Sequence, residues 1–362
     1  MTTIYDVAKE AGVSPKTVSR VLNDDAPVNV ATRAKVETAI VKLGFVRSHA
    51  ARSMRSQRSG LIGIITGAIS TSPGAGEPAG LPDIHIVQGA QRIFAQENLT
   101  TLISDTGGHL DRVPELVRTL LEHRVEGLLY VADHHQQVAF PAAGARNRLV
   151  LVNCYDDEST PCVLPDDESG QYHLAKGLIE RGHTRIGYLT LAERQRAQPL
   201  RLAGYRRALA EAGIAFDPAL VIPAALMDPA HEYDLLWDAL DRLLTLSEPP
   251  TVICCANDKM AMRVYGLLRD RGLRVPEDIS VAGYDDYRII ADHLHPGLST
   301  VVLPYETMGA RAAQRLLRII RGQQEPGTTS TELVSGPPVW RGSVLSRTAN
   351  ILDFQSIGRN NT

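Results

Sequence analysis

Cysteine, aromatic residues and long apolar runs are all scarce in this chain, and each scarcity removes a class of function. Only four cysteines occur in 362 residues, at Cys154, Cys162, Cys254 and Cys255. None is spaced as CxxC and all sit in apolar, strand-like runs. They read as buried reduced thiols, not as a disulfide framework or a zinc site. Aromatic residues make up 5% of the chain. No uninterrupted apolar run reaches the ~18 residues of a membrane span. The amino end carries no apolar signal-peptide core, so a cytoplasmic protein with no membrane partner is expected.

Catalytic signatures are missing as well. There is no HExxH, GxSxG or P-loop, and His134, His135, His293 and His295 lack metal-ligand spacing. The acidic doublets Asp156-Asp157, Asp166-Asp167 and Asp285-Asp286 suggest glycoside hydrolysis only superficially. Adjacent side chains on an extended strand face opposite ways, so a doublet is not a catalytic pair by itself. Gly67 to Pro82, GAISTSPGAGEPAGLP, is rich in glycine but misses the G-x-G-x-x-G spacing, and its prolines and acid make a poor phosphate nest. It reads as a loop over a cleft mouth. The expectation is a protein that is not an enzyme and holds no metal or cofactor.

What the chain does have is an uneven charge distribution. Net charge is −3, yet residues 1–58 hold ten Lys/Arg against five Asp/Glu, while the remainder holds 28 against 36. A basic head on an acidic body confines polyanion binding to one end. The length exceeds what one hydrophobic core supports, so more than one packed unit is expected.

The basic head is also the most strongly patterned stretch. In Ile4 to Asn23, IYDVAKEAGVSPKTVSRVLN, the residues Ile4, Val7, Ala8 and Ala11 form one apolar helical stripe. Gly12-Val13 then breaks the run. Ser14 suits an N-cap and Pro15 the first helical position, so a second helix begins there. It turns Val18, Val21 and Leu22 inward and leaves Pro15, Lys16, Thr17, Ser19 and Arg20 outside. Such a helix-turn-helix presents polar and basic groups to a major groove. Val30 to Leu43 forms a third helix closed by Gly44, with Thr32 and Arg33 at its start as candidate phosphate contacts.

The motif AxxAGVSxxTVSRVLN resembles the DNA-binding head of the LacI/GalR family of bacterial transcription regulators. The resemblance implies that Pro15, Lys16 and Arg20 read bases. Arg20 is suited to a bidentate pair with guanine, worth ~1–3 kcal/mol of discrimination. Thr17, Ser19 and Asn23 either bind phosphates or cap helices. The segment His49 to Arg55 stands where the family has a hinge helix that folds on DNA. It departs from the family pattern, with Arg47 where proline is usual and Met54 in the leucine position. Arg52 is then an implied DNA contact, and Met54 an implied minor-groove wedge paired with that of a second subunit.

From Leu61 short apolar runs (LIGIIT, TTLIS, GLLYV, LVLVN, then TVICCA and SVAG) alternate with amphipathic helices, which predicts doubly wound parallel sheets in two α/β lobes. The stretches VLPDDESGQ, LIERGHTRIGYL, CCANDKMAM and GLRVPEDISVAGYDD resemble the family's effector-binding core, built like a periplasmic sugar-binding protein. The expected organisation is a head over 1–46, a hinge over 47–59 and a core over 60–348, followed by a tail over 349–362. Within the core, the N-lobe takes 60–163 and 290–321 and the C-lobe 164–289 and 322–345. Ligands in open α/β sheets sit beyond the carboxyl ends of the strands. That rule, with the resemblance, gives Arg201, Asn257 and Asp285 as effector contacts, with Asp83, Asp133, His134, Gln195 and Met227 as further candidates. A turn-capping Asp285 and a surface-paired Arg201 are the plainer alternatives, and Asp258 and Asp286 are expected to cap helices.

The resemblance implies a repressor that binds double-stranded, near-palindromic operator DNA as a homodimer and answers to a small sugar-like effector. A solute-binding protein without a regulatory role and a sugar-processing enzyme are the competing readings.

Overall fold

The computed structural model describes residues 2–23, 27–45, 58–67, 81–140, 148–224, 232–323 and 330–347. The chain separates into two compact units, Met1–Gly60 and Leu61–Thr362.

The first unit is helical: α1 Ile4–Ala11, α2 Pro15–Asn23 and α3 Val30–Leu43. Local chemistry sets each boundary. Thr3 and Asp6 form a reciprocal capping box at the start of α1, and Gly12 ends it at φ 66°. The Ser14 hydroxyl oxygen accepts the Thr17 N–H at 3.1 Å, which starts α2. Val7, Ala8, Val18, Val21, Val36 and Ala39 pack into one small core.

The second unit runs β1 Leu61–Thr66, α4 Leu81–Gln96, β2 Thr100–Asp105, α5 Val113–Glu122, β3 Leu128–Gln137, β4 Leu149–Tyr155 and β5 Cys162–Pro165. It continues as α6 Asp167–Glu180, β6 Ile186–Thr190, α7 Ala197–Glu211, β7 Val221–Pro223, α8 Glu232–Leu244, β8 Val252–Cys255, α9 Asp258–Asp270 and β9 Ser280–Ala282. The last elements are α10 Arg288–Ala291, β10 Thr300–Val301, α11 Tyr305–Ile320, β11 Thr331–Val334 and β12 Pro338–Val339. One sheet has the order β11-β5-β4-β3-β1-β2 and the other β7-β6-β8-β9, and every pairing within them is parallel. Parallel strands covered by helices on both faces need near-continuous apolar sequence, which is why LIGIIT and LVLVN read so clearly.

The lobe boundary expected at residue 321 is corrected by the pairing. Strand β11 runs beside β5 in register Thr331↔Cys162, so it closes the first sheet instead of joining the C-lobe. Residues 290–299 move the other way, because Ala291 and Leu298 pack with Ile253 and Val281 in the second lobe. The chain leaves the second lobe along β10 and returns along β12, and these two short strands pair antiparallel. All four cysteines are buried and unbridged.

Glycine sets two helix crossings. A Cβ built on Gly89 or Gly309 would overlap the backbone carbonyl of Glu306 or Ile86 respectively, so α4 and α11 approach backbone to backbone. Gly204 of α7 meets the Glu168 carbonyl of α6 in the same way.

His183 ties the carboxyl-terminal segment to the second lobe. Its Nδ1 lies 2.8 Å from the Thr251 hydroxyl and its Nε2 2.9 Å from the Leu345 carbonyl. The carbonyl can only accept, so Nε2 carries a proton, while the Thr251 hydroxyl beside Nδ1 also reaches the Arg185 carbonyl at 3.3 Å. Burial holds the imidazole below its ordinary value of 6.5. A neutral ring in the folded state binds fewer protons than the unfolded chain, so its stabilisation is complete above pH 6.5 and is lost as pH falls further. Urea midpoints measured at pH 7.5 and 5.5 should fall more for the native chain than for His183→Gln, whose amide keeps a donor and an acceptor without titrating. Equal falls would remove this role.

Candidate nucleic-acid interface and ligand cleft

In the helical unit, Lys16 and Arg20 are exposed, one turn apart on α2. Pro15, Thr17, Ser19 and Asn23 are half-buried beside them. The Thr17 hydroxyl lies 2.9 Å from that of Ser14, and the Asn23 amide donates to the Ser19 hydroxyl at 3.1 Å. Thr17 and Ser14 thus shape the helix start while Lys16 and Arg20 form its outward cationic face. Thr32 and Arg33 stand in the first turn of α3, behind its N-cap Asn29. Arg52 and Met54 lie outside the described residues.

In the second unit a cavity of about 150 Å³ opens at the carboxyl ends of the strands of both sheets. His134, His135, Asn153 and Pro165 line it from the first sheet, and Gln195, Arg201, Asn257 and Asp285 from the second, with Leu191, Leu303 and Tyr305 completing the wall. Five expected residues therefore meet there: His134, Gln195, Arg201, Asn257 and Asp285.

Asp133 is not among them. Strand β3 continues to Gln137 past a register shift, which leaves Asp133 exposed and accepting from the Gln136 amide at 2.7 Å. Asp83 falls in the first turn of α4 with its side chain outside the described residues, as is the whole of Met227.

The cleft is organised by an ion pair that no local pattern announces. Asp167 is fully buried, and the Arg201 Nε donates to its Oδ1 at 2.8 Å. Arg201 is thus paired with a buried acid, not a surface one. Its Nη1 donates to the Ala256 carbonyl at 2.6 Å and its guanidinium stacks 3.6 Å from the Tyr284 ring centroid. Burial alone would raise the Asp167 carboxyl, but the Arg201 charge and the hydrogen bonds from His135 and Arg201 outweigh it and hold the group below its ordinary range. An ionised Asp167 can only accept, so the His135 Nδ1, 2.9 Å away, carries a proton and donates it to the carboxylate.

On the opposite side Asp285 adopts φ 130°, a conformation that an L side chain rarely takes. Such strain clusters at functional sites. Its backbone bonds both ways to the crossing strand, N–H to Val301 and carbonyl to Leu303. Burial, then the neighbouring Asp258 charge, pushes its carboxyl well above the ordinary range.

Two expectations about helix starts are corrected. Asn257, not Asp258, caps α9, with its side-chain oxygen accepting from Met260 N–H at 2.7 Å. Asp258 is buried, accepts from the Thr300 hydroxyl at 2.6 Å and the Tyr287 N–H at 2.7 Å, and is pushed up to about 6 chiefly by burial. Asp286 caps nothing and pairs with Arg341 at 2.7 Å. The cleft residues missed from sequence include Asn153, which ends the strand LVLVN and could have been found by the same strand-end rule. Asp167 and His135 carry no such signal.

Comparison with known proteins decides the lineage. Residues 3–48 match the family described as bacterial regulatory proteins, lacI family, and residues 175–344 match a periplasmic binding protein-like domain. The transcriptional repressor PurR of Vibrio atlanticus is 32% identical over 324 residues, 89% of this chain and 92% of that protein. The chain belongs to the lacI family of bacterial regulatory proteins.

The ribose operon repressor of Haemophilus influenzae is 30% identical over 326 residues, covering 90% and 94% of the two chains. The solved lac repressor dimer, bound to operator and the anti-inducer ONPF, superposes with TM-score 0.75 at 28% identity over 95% of this chain and 99% of that one. This lacI-family chain is a DNA-binding transcriptional regulator and not an enzyme. No helix among the described residues is long and apolar enough to cross a membrane.

Proposed function

We propose that the chain represses transcription from a near-palindromic operator bound by a homodimer, in the cytoplasm, and that an uncharged sugar or sugar derivative in the cleft sets operator affinity. The observation that carries the ligand class is a set of half-used polar groups. Among the described residues, Arg201 engages Nε and Nη1 but not Nη2, and Asn257 engages its side-chain oxygen but not its amide N–H groups. Asn153 does the reverse, donating to the Ala132 carbonyl at 3.1 Å and keeping its oxygen open. The Gln195 Oε1 is buried with no partner. Donors and acceptors open side by side suit hydroxyl groups, which do both.

Charge narrows the class. Each cationic or imidazole side chain in the cleft already faces a carboxylate: Arg201 and His135 share Asp167, and His134 has Asp133 at 2.8 Å. Among the described residues of the cleft, an incoming phosphate or carboxylate therefore finds no unpaired cation. Thermal unfolding of the full chain against matched neutral sugars, sugar phosphates and sugar acids tests this. Neutral members should raise the midpoint, a ligand at 100 times its dissociation constant adding ~2.7 kcal/mol, and anionic ones should not. Stabilisation by phosphates alone would overturn the class.

The major-groove role rests on the exposed pair on α2. Arg20→Ala should relax preference at one operator base pair by ~1–3 kcal/mol while leaving ligand stabilisation intact. A variant that still discriminates as the native chain does would move base reading elsewhere. Ligand can act on DNA affinity only through its different affinity for the two arrangements of the lobes, and DNA acts on ligand affinity by the same factor.

A further inference from the structure

A separate pocket of about 420 Å³ opens on the α5 side of the first sheet and shares no lining residue with the cleft. It lies between the turn Leu110–Arg112, which leads into α5, and the end of β3. The floor is apolar. Val113, Tyr130 and Phe140 are buried there, and the two rings tilt against each other with centroids 5.2 Å apart. Leu110 at the rim is 59% exposed, so apolar surface continues from the floor out to solvent. The volume falls in the range of small-ligand sites, ~300–1,000 Å³.

The polar side of the pocket offers acceptors. The Gln136 amide nitrogen donates to the Asp133 carboxylate and that of Gln137 to the Asp157 carboxylate, each at 2.7 Å. A carboxylate accepts, so each amide is held with its nitrogen toward the acid and its oxygen left for a donor. Among the described residues neither oxygen has a hydrogen-bond partner. Asp111 adds an exposed acid, and no Lys, Arg or His is in the lining. The neighbouring Arg112 guanidinium lies beside Gly107 instead.

We propose that this pocket is a second small-molecule site, taking an apolar ring or branched chain that carries one ammonium group. Val113, Tyr130 and Phe140 take the apolar body, and the faces of aromatic rings attract a cation as well as carbon. The two amide oxygens and Asp111 take the N–H donors of the ammonium. An anion of the same shape meets acceptors and an acid with no cation to offset them. A polyhydroxyl ligand has too little apolar surface to fill the floor. The site stands apart from the ligand class of the cleft, yet one strand serves both: His134 and His135 of β3 line the cleft, and the next two residues, Gln136 and Gln137, line this pocket.

The test is calorimetric titration of the full chain with amines and acids matched in apolar body: tryptamine with indole-3-propionate, phenethylamine with 3-phenylpropionate, and isopentylamine with 4-methylpentanoate. At least one amine should bind, and at least tenfold tighter than its acid. Ala139 is an exposed lining residue, so Ala139→Arg puts a cation at the rim without touching the core. It should weaken the amine at least tenfold and narrow or reverse the preference over the acid. Leu110→Ser, which removes apolar rim, should weaken the amine several-fold. Equal binding of an amine and its acid, amine affinity unchanged in Ala139→Arg, or no binding by any of the six compounds overturns the site. So does self-association of the free chain that Ala139→Arg abolishes, because the face would then belong to a second copy.

Discussion

Replacing Arg201 by methionine should lower the stability of the ligand-binding unit by about 3–5 kcal/mol, the cost of breaking a buried pair by removing one partner. Asp167 is fully buried and, among the described residues, would keep only His135 as a side-chain partner. The Ala256 carbonyl would lose its 2.6 Å donor and Tyr284 its stacked cation. Urea unfolding of the full chain reads the loss. Asp167→Asn in the Arg201→Met background should recover a good part of it, since the stranded charge is then gone, and that non-additivity separates an ion pair from simple loss of packing. A change within 0.5 kcal/mol would mean that the buried pair is not what holds the cleft wall.

Gly309→Ala is the second large effect. Its methyl group would overlap the Ile86 carbonyl, a backbone atom that cannot rotate away, so α4 and α11 must separate. Overpacking of this kind costs typically 1–3 kcal/mol, a fall of several degrees in unfolding midpoint. Arg311→Ala on the same helix is the control. That side chain is exposed and 3.8 Å from Glu332, so its removal should stay within ~0.5 kcal/mol. If the two variants melt alike, the close crossing is not tight in solution.

How far the sequence carries to this site depends on the range of the interactions. Helices such as α1, α2 and α5 were legible because each keeps an apolar stripe along one face, and Val30–Leu43, whose stripe is weak, was placed to the residue with Gly44 closing it. Strands of six or seven apolar residues were legible for the same reason. Strands β5 and β7, four and three residues long, were missed, whereas β8 and β9 of the same lengths were read because TVICCA and SVAG carry the apolar run beyond the strand itself. The sheet that β11 joins was not legible, because its partner Cys162 lies 169 residues away.

The site divides along the same line. Strand-end position offered Asn257 and Asp285 among several candidates, and the family resemblance singled them out together with Arg201. The groups that give these residues their state are remote partners: Asp167 for Arg201, the crossing strand for Asp285. Asp258 shows how a doublet misleads, since the asparagine before it takes the capping role and leaves the acid to the interior.

The central claim is that cleft occupancy and DNA binding are one linked equilibrium. The most direct measurement is operator affinity of the full chain, on a sequence selected from random DNA, with and without the tightest-binding sugar of the panel at saturation. The account predicts a shift of at least tenfold in one direction, a near-palindromic selected site, and loss of the shift but not of operator binding in Asp285→Asn. A sugar that binds the cleft while operator affinity stays unchanged would contradict it.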